Sequence, residues 1–116
     1  MKYLLLIYEN EKNWQSLSEA EQTAVYREYG AFGESITKSG NYVAGHELQP
    51  TTKATTVRVR GGKVQTTDGP FAETREQLGG FYLIEAKNLD EAMGIAARIP
   101  SAKRGSIEVR PVVVRG

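Results

Sequence analysis

Residues 2–8 (KYLLLIY) are apolar without a break after the lysine. The run is too short for a helix and suits a strand buried on both faces. Polar residues 9–17, with a lone Trp14, read as a loop. Ser18-x-x-Glu21 then has the form of a capping box, and Val25, Tyr29, Phe32 and Ile36 recur at helical spacing until Gly40 supplies a stop. Residues 41–48 predict a second strand. A third, Ala54 to Arg60, sets Thr55, Val57 and Val59 against Thr56, Arg58 and Arg60. Gly61-Gly62 suits a tight hairpin turn, and residues 63–66 return as a fourth strand. After a polar loop over 67–80, Phe81 to Ala86 reads as a fifth. Asn88-x-x-Glu91 opens a second helix with Ala92, Ile95, Ala96 and Ile99 on one face, and Pro100 ends it. Residues 106–114 (SIEVRPVVV) alternate as a last strand, with Pro111 marking an edge or an irregularity.

The order β-α-β, hairpin, β-α-β predicts an α+β fold: a ferredoxin-like split βαβ with an inserted β-hairpin and an antiparallel sheet, as one domain over 1–116. Two helices cover only one sheet face. Yet the first strand sends Tyr3, Leu5 and Ile7 one way and Leu4, Leu6 and Tyr8 the other, and the fifth sets Phe81 and Leu83 against Tyr82 and Ile84. A bare apolar sheet face is unusual for a monomer, so a homodimer is expected.

Composition narrows the chemistry. Fifteen Lys+Arg against 14 Asp+Glu leave a charge of +1, and there is no cysteine and one histidine. That removes disulfides, thiol catalysis and cysteine-bearing zinc sites. The remaining carboxylates follow no established calcium or magnesium spacing, so neither metal nor cofactor is expected. Near-neutrality argues against nucleic acid, since Arg58, Arg60 and Lys63 have no interleaved aromatic platform. No apolar stretch approaches the roughly 20 residues that span a bilayer, and the first residues lack a cleavage site, which predicts a cytoplasmic protein without membrane association.

The densest polar chemistry lies in Thr67-Asp68-Gly69-Pro70-Phe71-Ala72-Glu73-Thr74-Arg75-Glu76. Asp-Gly-Pro makes a rigid turn, which Asp68 is expected to brace and Phe71 to anchor in the core. Glu73, Arg75 and Glu76 then offer groups for a polar ligand if they face a concave surface, and otherwise form a solvated connector. His46 is the side chain whose ordinary pKa lies nearest neutrality, but strand alternation points it away from Glu47. Arg110 shares a strand face with Glu108, which predicts an ion pair, with carboxylate recognition as its second role.

The segment 67–76 followed by Gly79-Gly80-Phe81-Tyr82 resembles the signature of the YCII-related family, in its DGPF-motif branch. Gly45-His46-Glu47-Leu48-Gln49-Pro50, Asp90-Glu91-Ala92 and Glu108-Val109-Arg110-Pro111 extend the resemblance over essentially the whole chain. It implies a dimeric α+β barrel. For some relatives it implies lyase- or isomerase-like chemistry with a His–Asp pair, and for others a regulatory association with extracytoplasmic-function sigma factors.

Two functional expectations follow. One is a small dimeric enzyme performing proton transfer on a small polar or carboxylate-bearing molecule, with Asp68 and His46 as catalytic candidates. Glu47, Phe71, Glu73, Arg75, Glu76 and Arg110 would then bind the ligand in a cleft by the DGPF loop. The other is a non-catalytic ligand-binding or regulatory protein using the same cleft.

Overall fold

The computed structural model describes residues 1–115; Gly116, the end of the domain expected over 1–116, lies outside the described residues. The chain runs β1 (Lys2–Glu9), α1 (Glu11–Gln15), α2 (Glu19–Lys38), β2 (Tyr42–Glu47), β3 (Thr55–Arg60), β4 (Lys63–Asp68), β5 (Gln77–Glu85), α3 (Leu89–Ala97) and β6 (Ser106–Pro111). Four strands form one antiparallel sheet in the order β2-β5-β1-β6. Each βαβ unit therefore has a strand of the other unit between its own two, the interleaving of a ferredoxin-like α+β fold.

Local chemistry sets the helix limits. Ser18 accepts from Glu21 N at 3.1 Å while Glu21 Oε1 accepts from Ser18 N at 3.0 Å, closing the capping box of α2. At the other end, Gly40 N donates to Thr37 O and Asn41 N to Ile36 O, satisfying carbonyls that the last turn leaves free. The segment read as loop 9–17 holds α1 instead: Asn10 Oδ1 accepts from Lys12 N at 2.9 Å and caps a single short helix.

The core lies between the helices and one sheet face. Tyr3, Leu5, Ile7 and Ile84 meet Phe32 and Ile36 of α2 and Ala92, Ile95 and Ala96 of α3, with Ile99 closing the end. Alternation puts Leu4, Leu6 and Tyr8 on the opposite face. Cross-strand partners Phe81 and Leu83 join them there, all only half-buried.

β3 and β4 form a separate two-stranded sheet, and every residue of β4 is exposed. Gly61 and Gly62, at φ 57° and 76°, make its turn. Val57, Val59 and Val64 share one face of this arm and are 59–70% exposed. The radius of gyration, 16.2 Å, exceeds the ~13 Å of a compact domain near this length, as a projecting arm requires. Several strand ends move: β5 begins at Gln77 rather than Phe81, β4 runs on to Asp68, and β6 stops at Pro111.

Candidate functional site

A cleft of about 810 Å³ opens between α2 and the edge of the sheet formed by β2 and β5. α2 builds one wall because its buried stripe of Val25, Phe32 and Ile36 holds the helix on the sheet through one face. The flank beside that stripe presents Tyr26, Gly30, Gly33 and Thr37 to the cleft. Tyr82 of β5 and Tyr42 of β2 line the sheet side, their ring centroids 6.4 Å apart, and Trp14 of α1 closes one end against Tyr26 at 5.3 Å in an edge-on contact.

Hydrogen bonds hold the polar part in place. Tyr29 and Ser101 share a 2.5 Å hydroxyl contact at the cleft's inner side. Tyr26 Oη donates to Glu47 Oε2 at 3.2 Å, tying β2 to α2. Burial pushes the Tyr82 phenol up to about 12, with the neighbouring Tyr29 and Tyr42 adding to the rise. Tyr29 and Tyr26 are also raised, each chiefly by burial, and for Tyr26 the Glu47 carboxylate adds to it. These phenols are therefore neutral hydrogen-bond donors at ordinary pH.

Among the residues singled out from sequence, His46 and Glu47 border this cleft. They point to opposite sides of β2: Glu47 toward Tyr26 of α2, and His46 toward Phe81 on the open sheet face, with ring centroids 5.9 Å apart. Arg110 lies on that open face as well, across from Leu4, and its Nε donates to Glu108 Oε2 at 2.7 Å. The expected ion pair is therefore present.

The DGPF segment lies beyond the cleft. Asp68 closes the β3–β4 ladder opposite Thr55, at the exposed end of β4. The turn is braced instead by Thr56, whose hydroxyl donates to Gly69 O at 2.9 Å, and by Gly69 N donating to Ala54 O at 2.7 Å. Phe71, expected to insert into the core, is 79% exposed, because the turn belongs to the arm rather than to the four-stranded sheet. Glu73 and Arg75 are exposed. Glu76, just before β5, is half-buried and accepts from Ser106 Oγ of β6 at 2.8 Å.

A model of the YCII-related domain matches residues 1–114. The chain belongs to the YCII-related family. It is 40% identical over 116 residues to an uncharacterised protein of Rhizobium meliloti (strain 1021), an alignment covering 98% of this chain and 94% of that one. For this YCII-related chain, the cleft residues that sequence reasoning missed are mainly aromatic: Trp14, Tyr26, Tyr29, Tyr42 and Tyr82. Tyr26 carried a usable signal, since it lies one residue off the buried stripe on an otherwise polar helix flank. Trp14 carried another, in the Asn10-Glu11 helix start just before it.

Among the described residues, no helix is long and apolar enough to cross a membrane. Among the described residues, no three of His, Asp and Glu converge as metal ligands.

Proposed function

We propose that this YCII-related chain, of the DGPF branch, is a cytoplasmic homodimeric protein that binds a small molecule in the cleft between α2 and the β2–β5 edge. The observation that carries this reading is the cleft itself. Its volume of about 810 Å³ falls within the range of small-molecule sites, and aromatic side chains with a few fixed polar groups line it, as such sites require. Recognition is favoured over proton transfer by placement. His46 stands on the open face of the four-stranded sheet, whereas Asp68 sits in the separate β3–β4 arm. A ligand-binding dimer also fits a regulatory role beside an extracytoplasmic-function sigma factor.

Dimerisation is supported by the open sheet face. Leu4, Leu6, Tyr8, Phe81 and Leu83 form an apolar surface there, and Val57, Val59, Val64 and Phe71 of the arm and Val112 to Val114 after β6 are exposed. A second copy seated on that face would remove this surface from water.

A thermal-shift screen of small metabolites against the native chain and Gly33→Leu tests the binding site. Ligands that stabilise the native chain should lose their effect in the variant, whose leucine fills the cleft. Hits that stabilise both equally would defeat the cleft as the site.

A further inference from the structure

The charges around the cleft are one-sided. Glu9, Glu11, Glu34 and Glu47 line it, and no Lys or Arg does. Two of these carboxylates have cationic partners: Glu9 takes Arg104 Nε at 2.8 Å, and Glu34 takes Lys38 at 3.3 Å on the outer surface. Glu11 and Glu47 have neutral ones. Glu11 accepts from Thr51 N at 2.8 Å and Thr51 Oγ1 at 2.9 Å, and Glu47 accepts from the Tyr26 hydroxyl. Neutral donors orient these two groups while leaving their negative charge uncompensated.

α2 supplies an independent observation. Gly30 and Gly33 stand in the helix interior, where glycine is a poorer helix former than alanine. Nothing lies within 4 Å of a β-carbon built on either, so no close packing demands them. Their effect is to hold open the wall that faces the tyrosines.

We infer that the cleft receives a small organic cation, an ammonium carried on an aromatic or flat apolar body, with the body against Tyr26, Tyr82 and Trp14 and the charge toward Glu47 and Glu11. The inference rests on the cleft's being the ligand site and adds the class of ligand. Aromatic faces attract cations through the ring quadrupole, and desolvation in a half-enclosed site strengthens that attraction. The uncompensated carboxylates act in the same direction. An anion of the same shape meets the unpaired carboxylates of Glu11 and Glu47 and no Lys or Arg in the lining, and the His46 ring is turned to the other sheet face.

Phenethylammonium and 3-phenylpropanoate test this, being close in shape and opposite in charge at neutral pH. Each is titrated into the full chain, and binding is read from the fluorescence of Trp14, the single tryptophan, and from the thermal midpoint. The ammonium should change both readings and the carboxylate neither. Glu47→Gln should weaken the ammonium about fivefold or more, and Gly33→Leu should abolish its binding. Leucine favours helix over glycine, so Gly33→Leu is expected to keep its fold, which far-UV circular dichroism checks.

Equal or preferential binding of phenylpropanoate, lost in Gly33→Leu, would leave the cleft as a ligand site and overturn its cation selectivity. Ammonium binding that survives Gly33→Leu would place the site elsewhere and overturn the inference. No response to either probe up to about 10 mM would overturn the ligand class, while the metabolite screen decides the cleft itself.

Discussion

The ring of Tyr82 on β5 lies against Gly45, its cross-strand neighbour on β2, so closely that a β-carbon at residue 45 would fall 2.7 Å from Tyr82 Cδ1. The same ring meets Phe32 of α2 at 5.1 Å. A glycine on one strand thus sets the position of a ring that joins core and cleft. Gly45→Ala should destabilise the fold by about 1–3 kcal/mol through overpacking, read from denaturant unfolding. Adding Tyr82→Leu should recover part of that loss, because the colliding ring is gone. An unchanged midpoint in the single variant would show that the ring moves aside freely.

Tyr82 also predicts a stability change at high pH. Its phenol rises from an ordinary 10.0 to about 12, chiefly through burial. The unfolded chain therefore loses this proton before the folded one does. Stability from this group is fully present below pH 10 and is lost as pH rises toward 12. Unfolding midpoints measured across that window should fall less steeply for Tyr82→Phe than for the native chain. Parallel curves would assign the effect to other groups.

The capping box of α2 gives a smaller, local prediction. Ser18→Ala removes the acceptor for Glu21 N and should cost about 1 kcal/mol, seen as a lower thermal midpoint with the same secondary structure. Hydrogen bonds from Ser18 hold the Glu21 carboxyl below its usual range. That contribution is present above the unfolded pKa of the carboxyl and is lost as acid takes pH down through the lower folded value. Glu21→Gln should remove this part of the acid dependence, and an unaltered profile would count against it.

Light scattering tests the open sheet face. The native chain should have twice the 12.8 kDa mass of one copy, and Leu6→Glu should have the mass of a single copy. Leu6 stands between Phe81 and Glu108 on that face, so a carboxylate there meets both an apolar contact and a like charge. A native mass of 12.8 kDa would end the dimer reading.

The arm offers a control for that experiment. Phe71 is 79% exposed, so Phe71→Ser should change single-copy stability by no more than about 0.5 kcal/mol. A larger, concentration-dependent loss would mean that a second copy buries the ring.

The fold was legible in the chain because its signals are local and periodic. The serine–glutamate pair at 18 and 21, the stripe from Val25 to Ile36 and the two adjacent glycines at 61 and 62 each act within a few residues. Alternation in β1 and β5 likewise announced an apolar surface on both sides of the sheet. Ligand chemistry followed a different rule. The DGPF segment drew the eye as a dense run of charge, but chain proximity does not make a concave surface, and its side chains lie on or beyond a projecting arm. Trp14, Tyr26, the pair Tyr42 and Glu47, and Tyr82 come from four separate elements, α1, α2, β2 and β5. Only the packing of α1 and α2 on the β2–β5 edge brings them around one cleft, because which flank of a helix stays open depends on the angle at which its buried face meets the sheet. Sequence by itself determined the six strands, the two main helices, their order and the two-sided strands, while the short α1 emerged only in the structure. Tertiary structure decided which aromatic and acidic groups share a cavity, since that is set by contacts between residues that local patterning does not connect.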